Sequence, residues 1–258
     1  MPFDAIVLAG TSQGGALQEY AKVDNRALIP IGEQMMVQYV VNALKGVSSI
    51  KKIAIVGAVQ ELLPYYENDP DVMLAEQGET HIATLLNGLK VLGSGPDRHI
   101  VVATSDIPLL STAAVEDFLN QCAQKDGDLF YPIVPREINE QRFPGVKRTY
   151  VHLRDGVFTG GNLFLVRVSI IEPCAAKAET LVSLRKSPLA LCRLIGPMFI
   201  IKYLLHRLSL REVELKFSQL LGINGYGIIS KYPEVGIDVD KPSDLEFVRQ
   251  ILVGTSPI

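Results

Sequence analysis

The sequence predicts an α/β fold in which a mixed, mostly parallel sheet lies between two layers of helices. Short runs rich in Val and Ile alternate with longer segments whose apolar residues recur at helical spacing, which is typical of βαβ units. The chain has 258 residues, enough for one large domain with a sizeable core. It contains no internal repeat and no low-complexity tract that would indicate another architecture.

The first half of the chain supplies the parallel part of the sheet. Apolar runs predict strands at residues 5–8, 53–56, 72–74 and 99–103. Helices are predicted at residues 35–44 and 82–92, and a third helix, capped by Ser111 or Thr112, extends to about Lys125. Strands and helices therefore alternate up to this point.

The pattern changes after residue 127. Strands are predicted with little helix between them, at residues 129–134, 149–153 and 162–166. We therefore expect antiparallel or mixed pairing in this part of the sheet. A further strand at residues 226–230 and a closing helix at 242–253 complete the predicted domain, which spans residues 1–258.

Residues 179–222 are predicted to form a helical insertion in this domain. Their sequence indicates two or three helices, broken near Pro188 and at residues 196–197. The segment has seven Lys or Arg and three Glu, a formal charge of +4. Its longest apolar run, at 196–201, is much shorter than the roughly twenty residues that span a bilayer. We expect a subdomain packed on the sheet or a homodimer contact, and the alternative is a surface for an amphiphilic or membrane-bound molecule.

Composition excludes several classes of protein. The net charge is −3 without a long charge run, so nucleic acid is not an expected partner. Cys122, Cys174 and Cys192 lie far apart without a Cys-x-x-Cys pair, so we interpret them as small buried side chains rather than disulfide or zinc residues. The first residues lack a basic segment and a long apolar segment, and we expect a cytoplasmic location.

A glycine-containing segment follows the first predicted strand. Ligands of open parallel sheets bind at the carboxyl ends of the strands, where backbone N–H groups can face an anion. Gly10, Gly14 and Gly15 allow the main chain to approach a ligand closely. The spacing is neither Gly-x-Gly-x-x-Gly nor Gly-x-x-x-x-Gly-Lys-Ser, which disfavours the dinucleotide fold and the P-loop. The alternative is a flexible loop without a ligand.

Asp106 lies directly after the strand at 99–103, which is predicted to be central in the sheet. A lone carboxylate is costly to bury there unless it is paired or binds a metal. Asp106 is also poorly placed as a helix cap, because Pro108 intervenes and Ser111 or Thr112 is nearer the helix. We therefore predict a functional role for this carboxylate.

Two more carboxylates lie near the end of the chain. Strand alternation places Asp238 and Asp240 on one face, opposite the neighbouring Ile and Val. An alternative is that they only begin a helix, with Pro242 in its first turn and a capping box over 243–246. Mg²⁺ prefers carboxylate oxygens and commonly takes one or two from protein. Asp106 with Asp238 or Asp240 meets that requirement.

Five segments in chain order resemble motifs of the MobA-like nucleotidyltransferases, which have a Rossmann-like, three-layer α/β/α fold of the GT-A type. These segments are residues 8–10 (LAG), 25–32 (NRALIPIG), 105–110 (SDIPLL), 160–162 (GGN) and 238–245 (DVDKPSDL). They cover the chain apart from the insertion. The first loop departs from the family, since Thr11 replaces its second glycine, the loop is longer and lacks Arg-Met, and Arg26 stands where a lysine is common. Arginine keeps the charge and can bind a phosphate with two hydrogen bonds.

The resemblance implies a magnesium-dependent nucleotidyltransferase, with Mn²⁺ as an alternative ion. An acceptor oxygen would attack the α-phosphorus of a nucleoside triphosphate, and pyrophosphate would leave. The metal would be held by Asp106 with Asp240 or Asp238, and the charge of the leaving group would be offset by Arg26 or Lys22. Nucleotide-binding positions implied in the same way are Leu8, Ala9, Gly10, Thr11, Gly14, Gly15, Gly57, Gln77 and Gly78. Acceptor-binding positions are Gly160, Gly161 and Asn162.

The expected partners are a nucleoside triphosphate and a small-molecule acceptor. An amphiphilic or membrane-associated acceptor would bind through residues 179–222. One alternative function is a GT-A-type glycosyltransferase that uses a nucleotide-sugar, although the Asp-x-Asp at 238–240 lies at the wrong end of the chain for that class. Another is a nucleotide-binding module without turnover, which the irregular first loop favours.

Overall fold

The computed structural model describes residues 2–10, 15–184 and 195–254. Its first-half elements are β1 (Phe3–Ala9), α1 (Ala16–Ala21), β2 (Pro30–Ile31), β3 (Gln34–Met35), α2 (Met36–Lys45), β4 (Ile50–Gly57), α3 (Val59–Tyr66), β5 (Val72–Glu76), α4 (His81–Leu92), β6 (His99–Thr104) and α5 (Thr112–Cys122). The later elements are β7 (Leu129–Pro135), α6 (Arg136–Arg142), β8 (Val151–Leu153), β9 (Gly156–Gly160), β10 (Leu163–Arg167), α7 (Val168–Leu184), α8 (Pro197–Leu204), α9 (Leu210–Leu221), β11 (Gly225–Ile229) and α10 (Pro242–Leu252). Thr11, Gly14, Pro188 and Cys192 lie outside the described residues.

Within the described residues, a nine-stranded sheet has the order β5-β4-β1-β6-β10-β7-β9-β8, and β11 also pairs with β7. Its first-half strands β1, β4, β5 and β6 are parallel to one another, and β7 and β11 are also parallel. The strands β2 and β3 form a separate antiparallel pair. Antiparallel pairing begins at β10, which lies between β6 and β7. The predicted α/β class and the change to mixed pairing after residue 127 are therefore confirmed.

Helices cover both faces of the parallel strands, which explains their continuous apolar runs. On one face, alternate β1 residues such as Val7 pack with α2 and α5 in the larger core cluster. On the other face, Ile6 packs with residues of α4 and α7. A third cluster joins α1, α10 and the β2–β3 hairpin, with Leu17, Ile31 and Leu245 at its centre.

Several elements differ from the sequence prediction. The helices α1, α3 and α6 and the strand β9 were not predicted, because they are short and α3 contains Pro64. The cap of α5 is Ser111, whose Oγ accepts a hydrogen bond from Ala114 N at 3.2 Å, and the helix ends at Cys122 rather than near Lys125. The predicted capping box over 243–246 is wrong: Asp244 accepts hydrogen bonds from the backbone N–H groups of Asp240 and Lys241 instead.

The region of the predicted insertion is helical where it is described. The helix α7 begins at Val168, so the predicted boundary at residue 179 falls within it. The predicted break at 196–197 is present, since Gly196 has φ 101° and Pro197 begins α8. Neither α8 nor α9 contains a buried residue. Among the described helices, none combines the length and apolar character needed to cross a bilayer.

The two cysteines in the described residues are free thiols. Cys122 is buried, as predicted, and burial raises the pKa of its thiol to about 12. Cys174, within α7, is only half-buried, so the prediction of a buried side chain is wrong there.

Candidate functional site

The carboxyl ends of β1 and β6 lie side by side. Leu8 pairs with Thr104, and Ser105 N donates a hydrogen bond to Leu8 O at 3.0 Å. Gly10 and Asp106 therefore leave the sheet at the same edge. On the other side of β1, Ala9 pairs with Gly57 at the end of β4.

Asp106 is held by its neighbours in the chain and by the terminal segment. Thr104 Oγ1 donates a hydrogen bond to Asp106 Oδ1 at 2.5 Å. Val239 N donates to the main-chain oxygen of Asp106 at 2.9 Å, which fixes the segment carrying Asp238 and Asp240 beside it. Residues about 130 positions apart in the sequence thus converge at this edge.

Arg26 lies between two of the carboxylates. Its Nη2 donates hydrogen bonds to Val239 O at 2.6 Å and to Asp240 Oδ1 at 2.9 Å, and it lies 3.6 Å from Asp106 Oδ2. The guanidinium therefore joins Asp106 and Asp240 through one positive charge. The pairing of Asp106 with Asp240 at a metal ion stays a prediction.

The pKa of Asp106 is raised, chiefly because the carboxylate has lost most of its hydration. The hydrogen bond from Thr104 opposes this shift, the negative charges of Asp238 and Asp240 add to it, and Arg26 opposes it. A carboxylate in this situation gains more than a hydrated one from a nearby cation. The site is consequently suited to a positive ligand.

A short 3₁₀ helix at Arg26–Leu28 places Arg26 at the site. Asn25 caps it by accepting a hydrogen bond from Ala27 N at 3.0 Å, and Ala27 is buried. The buried Arg26 Nε has no hydrogen-bond partner among the described residues. Lys22, the alternative cation, is exposed at the end of α1 in a left-handed conformation with φ 55°. Arg26 rather than Lys22 thus contacts the carboxylates in this structure.

Asp238 faces the same side of the terminal segment as Asp240, because the alternating residues Ile237 and Val239 are buried. Asp238 forms an ion pair with Arg148 Nη1, and Arg148 Nη2 lies 3.5 Å from Gly160 O. Sequence reasoning missed Arg148, which lies in a loop without a motif. The adjacent basic residue Lys147 was the one feature of the sequence that could have indicated a positively charged site here.

A cleft of about 900 Å³ opens beside these side chains. It is lined by Asp238, Asp240 and Arg148, and by two of the predicted acceptor residues, Gly160 and Asn162. The main chain of Asn162 is fixed, with N donating to Val235 O at 2.8 Å and O accepting from Thr104 N at 3.1 Å. Its buried Nδ2 has no hydrogen-bond partner within the described ranges. An unpaired buried donor of this kind is available to a ligand oxygen.

The third predicted acceptor residue, Gly161, has a packing role. A Cβ at this position would lie 2.9 Å from Pro132 Cγ and 3.1 Å from Val235 O. Its N–H donates to Pro132 O at 3.0 Å. Gly161 therefore connects the strand edge to the segment at 233–236, and it does not line the 900 Å³ cleft.

Of the remaining predicted nucleotide positions, Gln77 contacts Gly10, whereas Gly78 and Gly15 lie at the starts of helices. The Gln77 side chain lies against Gly10, since a Cβ on Gly10 would be 2.9 Å from Gln77 Oε1. Gly78 packs closely on the start of α4, and its N–H donates to Thr84 Oγ1 at 3.1 Å. Gly15 begins α1, where its carbonyl accepts from the backbone N–H of residue 18 at 3.0 Å. Gly10, Gly57 and Gln77 thus lie at the carboxyl ends of the neighbouring strands β1, β4 and β5.

Within the described residues, no group of three or more His, Cys, Asp or Glu side chains is arranged to hold a metal ion. Asp106 and Asp240 nevertheless fit a magnesium site of the nucleotide-bound kind, in which protein supplies one or two carboxylates and phosphate and water complete the shell. Arg26 supplies the positive charge that contacts both carboxylates in this structure.

This sheet, with a glycine at the end of β1 and carboxylates converging beside it, places the chain in the nucleotidyltransferase class of α/β proteins. The chain belongs to the family described as the MobA-like NTP transferase domain, whose model matches residues 5–193.

Solved structures agree with this fold. A hypothetical transferase from Thermus thermophilus is 38% identical, with 95% of this chain and 100% of that chain covered and a TM-score of 0.82. The 4-diphosphocytidyl-2C-methyl-D-erythritol synthase of Anaerococcus prevotii is 13% identical over 98% of this chain and 96% of its own, with a TM-score of 0.58. A CMP:2-keto-3-deoxy-manno-octonic acid synthetase complexed with CTP is 12% identical over 98% of each chain, with a TM-score of 0.60. No curated protein matches the chain.

Proposed function

We propose that the protein is a magnesium-dependent nucleotidyltransferase that moves a nucleoside monophosphate from a nucleoside triphosphate to a phosphorylated or hydroxyl acceptor. The observation that carries this proposal is the convergence of Asp106 and Asp240 on Arg26, beside Gly10 at the carboxyl edge of the sheet. Family membership supports the same class of reaction.

Asp106 and Asp240 are the residues that would hold the ion. When bound, Mg²⁺ would neutralise phosphate oxygens and favour attack at the α-phosphorus. Thr104 and Val239 restrict the orientation of Asp106, through its side chain and its main chain respectively. The carboxylates are thereby preorganised before the nucleotide arrives.

Arg26 has two roles in this proposal. In the structure without ligands it balances the charges of Asp106 and Asp240. Its guanidinium would donate hydrogen bonds to the phosphate oxygens of the departing pyrophosphate once a cation neutralised those carboxylates. A charge-assisted contact of this kind stabilises the negative charge that the leaving group develops.

The 900 Å³ cleft is the proposed acceptor site. Arg148 and Lys147 supply positive charge there, and the free Nδ2 of Asn162 supplies a donor. These groups would orient an acceptor phosphate or hydroxyl so that its oxygen forms the new bond to the α-phosphorus while the bond to pyrophosphate breaks. The reaction depends on positioning and charge neutralisation more than on an acid or base.

Thermal denaturation with CTP, GTP, ATP or UTP and Mg²⁺ tests nucleotide binding. CTP is the first choice because a structural neighbour was solved with it. At one hundred times its dissociation constant, a ligand stabilises by about 2.7 kcal/mol, which raises Tm by roughly 5–10 °C for a chain of this size. Asp106→Asn should keep its fold and lose the magnesium-dependent part of that increase.

Asp126→Asn is the matched control, because Asp126 is exposed and pairs with Arg167 at the opposite end of β6 and β10. The control should keep the full increase. An Asp106→Asn variant that binds Mg²⁺ and nucleotide as tightly as the parent would exclude this metal site. Nucleotide binding without pyrophosphate release across a wide panel of acceptors would instead favour a binding module.

A further inference from the structure

A second cavity, of about 510 Å³, lies between α9 and the sheet strands β7, β8, β9 and β11. Its lining is almost wholly apolar and includes Ile133, Leu153, Val213, Phe217 and Leu221. Its volume falls within the roughly 300–1,000 Å³ typical of small-molecule sites. We call it the apolar cavity.

The apolar cavity adjoins the acceptor cleft. Tyr131, Thr159 and Gly160 line both spaces. The Tyr131 hydroxyl packs directly against Gly160, where a Cβ would overlap it, and loss of hydration raises the pKa of that hydroxyl. Gly160 O also lies near Arg148, the cation paired with Asp238. A molecule whose polar end lies beside Arg148 can therefore extend past Tyr131 into apolar surroundings.

The apolar side chains that line this cavity do not pack closely against one another. A helix with an apolar stripe normally buries that stripe against its sheet. No residue of α9 is buried, and Phe217 and Tyr131 remain 40% and 42% exposed. Unfilled apolar space forfeits the dispersion contacts that a filling group would supply.

Glu214 and Ser218, the polar residues that line this cavity but not the acceptor cleft, already have partners. Glu214 accepts a hydrogen bond from Gly227 N at 2.9 Å and pairs with Arg211 at 3.5 Å. Ser218 Oγ accepts from Gly225 N at 3.0 Å. The cavity thus offers apolar surface to a ligand, and the polar contacts are confined to the adjoining cleft.

We propose that the apolar cavity is a second part of the acceptor site and binds the hydrocarbon chain of an amphiphilic acceptor. The phosphate or hydroxyl head of that acceptor lies in the cleft beside Arg148, Asp238 and Asn162. This inference rests on the proposed nucleotidyl transfer and specifies the chemical class of the acceptor: a phosphorylated or hydroxylated amphiphile.

Butyl, hexyl and octyl phosphate, each below its micelle concentration, are suitable probes, with inorganic phosphate as the head group alone. Isothermal titration in the presence of Mg²⁺ and the stabilising nucleotide should show affinity rising about threefold to fourfold for each methylene that enters the cavity. Affinity that is independent of chain length would overturn the proposal.

Phe217→Ser and Leu215→Ser form a matched pair on α9. The two side chains are similarly exposed, at 40% and 46%, but only Phe217 lines the apolar cavity. Phe217→Ser should weaken octyl phosphate binding about tenfold or more and leave inorganic phosphate binding unchanged. Leu215→Ser should match the parent for both probes. Equal losses in the two variants would show that the chain binds elsewhere.

Gly225→Val tests the same space by filling it. A Cβ on Gly225 would lie 3.7 Å from Ser218 Oγ and 3.9 Å from Leu129 O, so the strand has room for a β-branched side chain. The variant should fold and lose the dependence on chain length. Gly95→Val is its control, because a Cβ there meets no atom within 4 Å and Gly95 does not line the cavity. A Gly225→Val variant with the parent's chain-length dependence would contradict the proposal.

The nucleotide titration separates the two proposals. Nucleotide binding without chain-length dependence overturns the apolar subsite alone and leaves the transferase proposal intact. Chain-length dependence without binding of any nucleotide overturns the transferase proposal, and the acceptor role of the apolar cavity with it.

Discussion

Arg26 supplies the positive charge that offsets two carboxylates at the site, because its one guanidinium contacts both Asp106 and Asp240. Two carboxylates contact one cation at this site. A divalent ion bound to the carboxylates would therefore stabilise the ionised form of Asp106. The pKa of Asp106 is raised chiefly by its loss of hydration, and the charges of Asp238 and Asp240 add to that shift.

We expect Arg26→Ala to weaken the binding of nucleoside triphosphate, measured in saturating Mg²⁺, by roughly 10-fold to 150-fold. This is the effect of losing charge-assisted hydrogen bonds worth about 1.5–3 kcal/mol. Isothermal titration measures it. Lys22→Ala is the control, since Lys22 is exposed at the end of α1 and should affect binding by less than about tenfold. A larger effect of Lys22→Ala would assign the phosphate contact to Lys22.

Gly57 shows how packing can require a glycine at a predicted ligand position. A Cβ there would lie 2.5 Å from Ala9 O, a main-chain atom that cannot move without disturbing β1. Gly57→Ala should therefore lower the free energy of unfolding by about 1–3 kcal/mol in urea denaturation. Gly95→Ala, where the added Cβ meets open space, should stay within about 1 kcal/mol of the parent. Equal stability of the two variants would show that β1 and β4 can separate at little cost.

At the scale of elements, α9 depends on a capping box at its start. Ser209 Oγ accepts a hydrogen bond from Glu212 N at 3.3 Å, and Glu212 Oε2 accepts from Ser209 N at 2.9 Å. Lys202 of α8 donates to Glu212 Oε1 at 2.5 Å. These contacts lower the pKa of Glu212 to about 2, with the hydrogen bond from Lys202 as the largest cause.

The lowered pKa of Glu212 predicts a dependence of stability on pH. A carboxyl with a lower pKa in the folded state stabilises above its unfolded pKa, near 4.3, and loses that contribution as pH falls toward 2. The Tm of the parent should therefore exceed that of Glu212→Gln by more at pH 6 than at pH 3. Glu116→Gln, on the exposed side of α5, is the control. The Tm difference between the parent and this variant should be similar at both pH values. A Glu212→Gln difference that does not change with pH would contradict the role of its charge.

At the scale of the whole molecule, stability is unevenly distributed. The central strands β1, β4 and β6 are buried on both faces between helices. The described helices α8 and α9 contribute no buried residue. Regions with few buried apolar contacts open at lower free energy than the core.

Native-state hydrogen exchange should show this difference. Amides of β1, β4 and β6 should exchange only through global unfolding, whereas amides of α8 and α9 should exchange through local opening at a lower free energy. Octyl phosphate should slow exchange in α9 more than in α8, because α9 lines the apolar cavity. Exchange of α9 at the same rate as β1 would contradict this distribution.

Much of the site could be predicted from the sequence, because each of its parts follows a local pattern. Asp106 follows an apolar strand, and the alternation of Ile237 to Asp240 predicts which two side chains face outward. The contact of Arg26 with Asp240 could not be predicted in detail, since it depends on a 3₁₀ helix and on the position of a segment about 210 residues away. Arg148 was missed because a loop residue without a motif acquires its role only through its partner, Asp238.

The sequence by itself determined the α/β class, the change in strand pairing after residue 127 and the acidic residues at strand ends, because hydrophobic periodicity and charge are local properties of the chain. Only the tertiary structure decided which cation meets those carboxylates and that an apolar cavity opens beside the acceptor cleft. Both depend on how far α9 and the segment carrying Asp238 and Asp240 lie from the sheet. That distance is set by packing between residues that are remote in sequence.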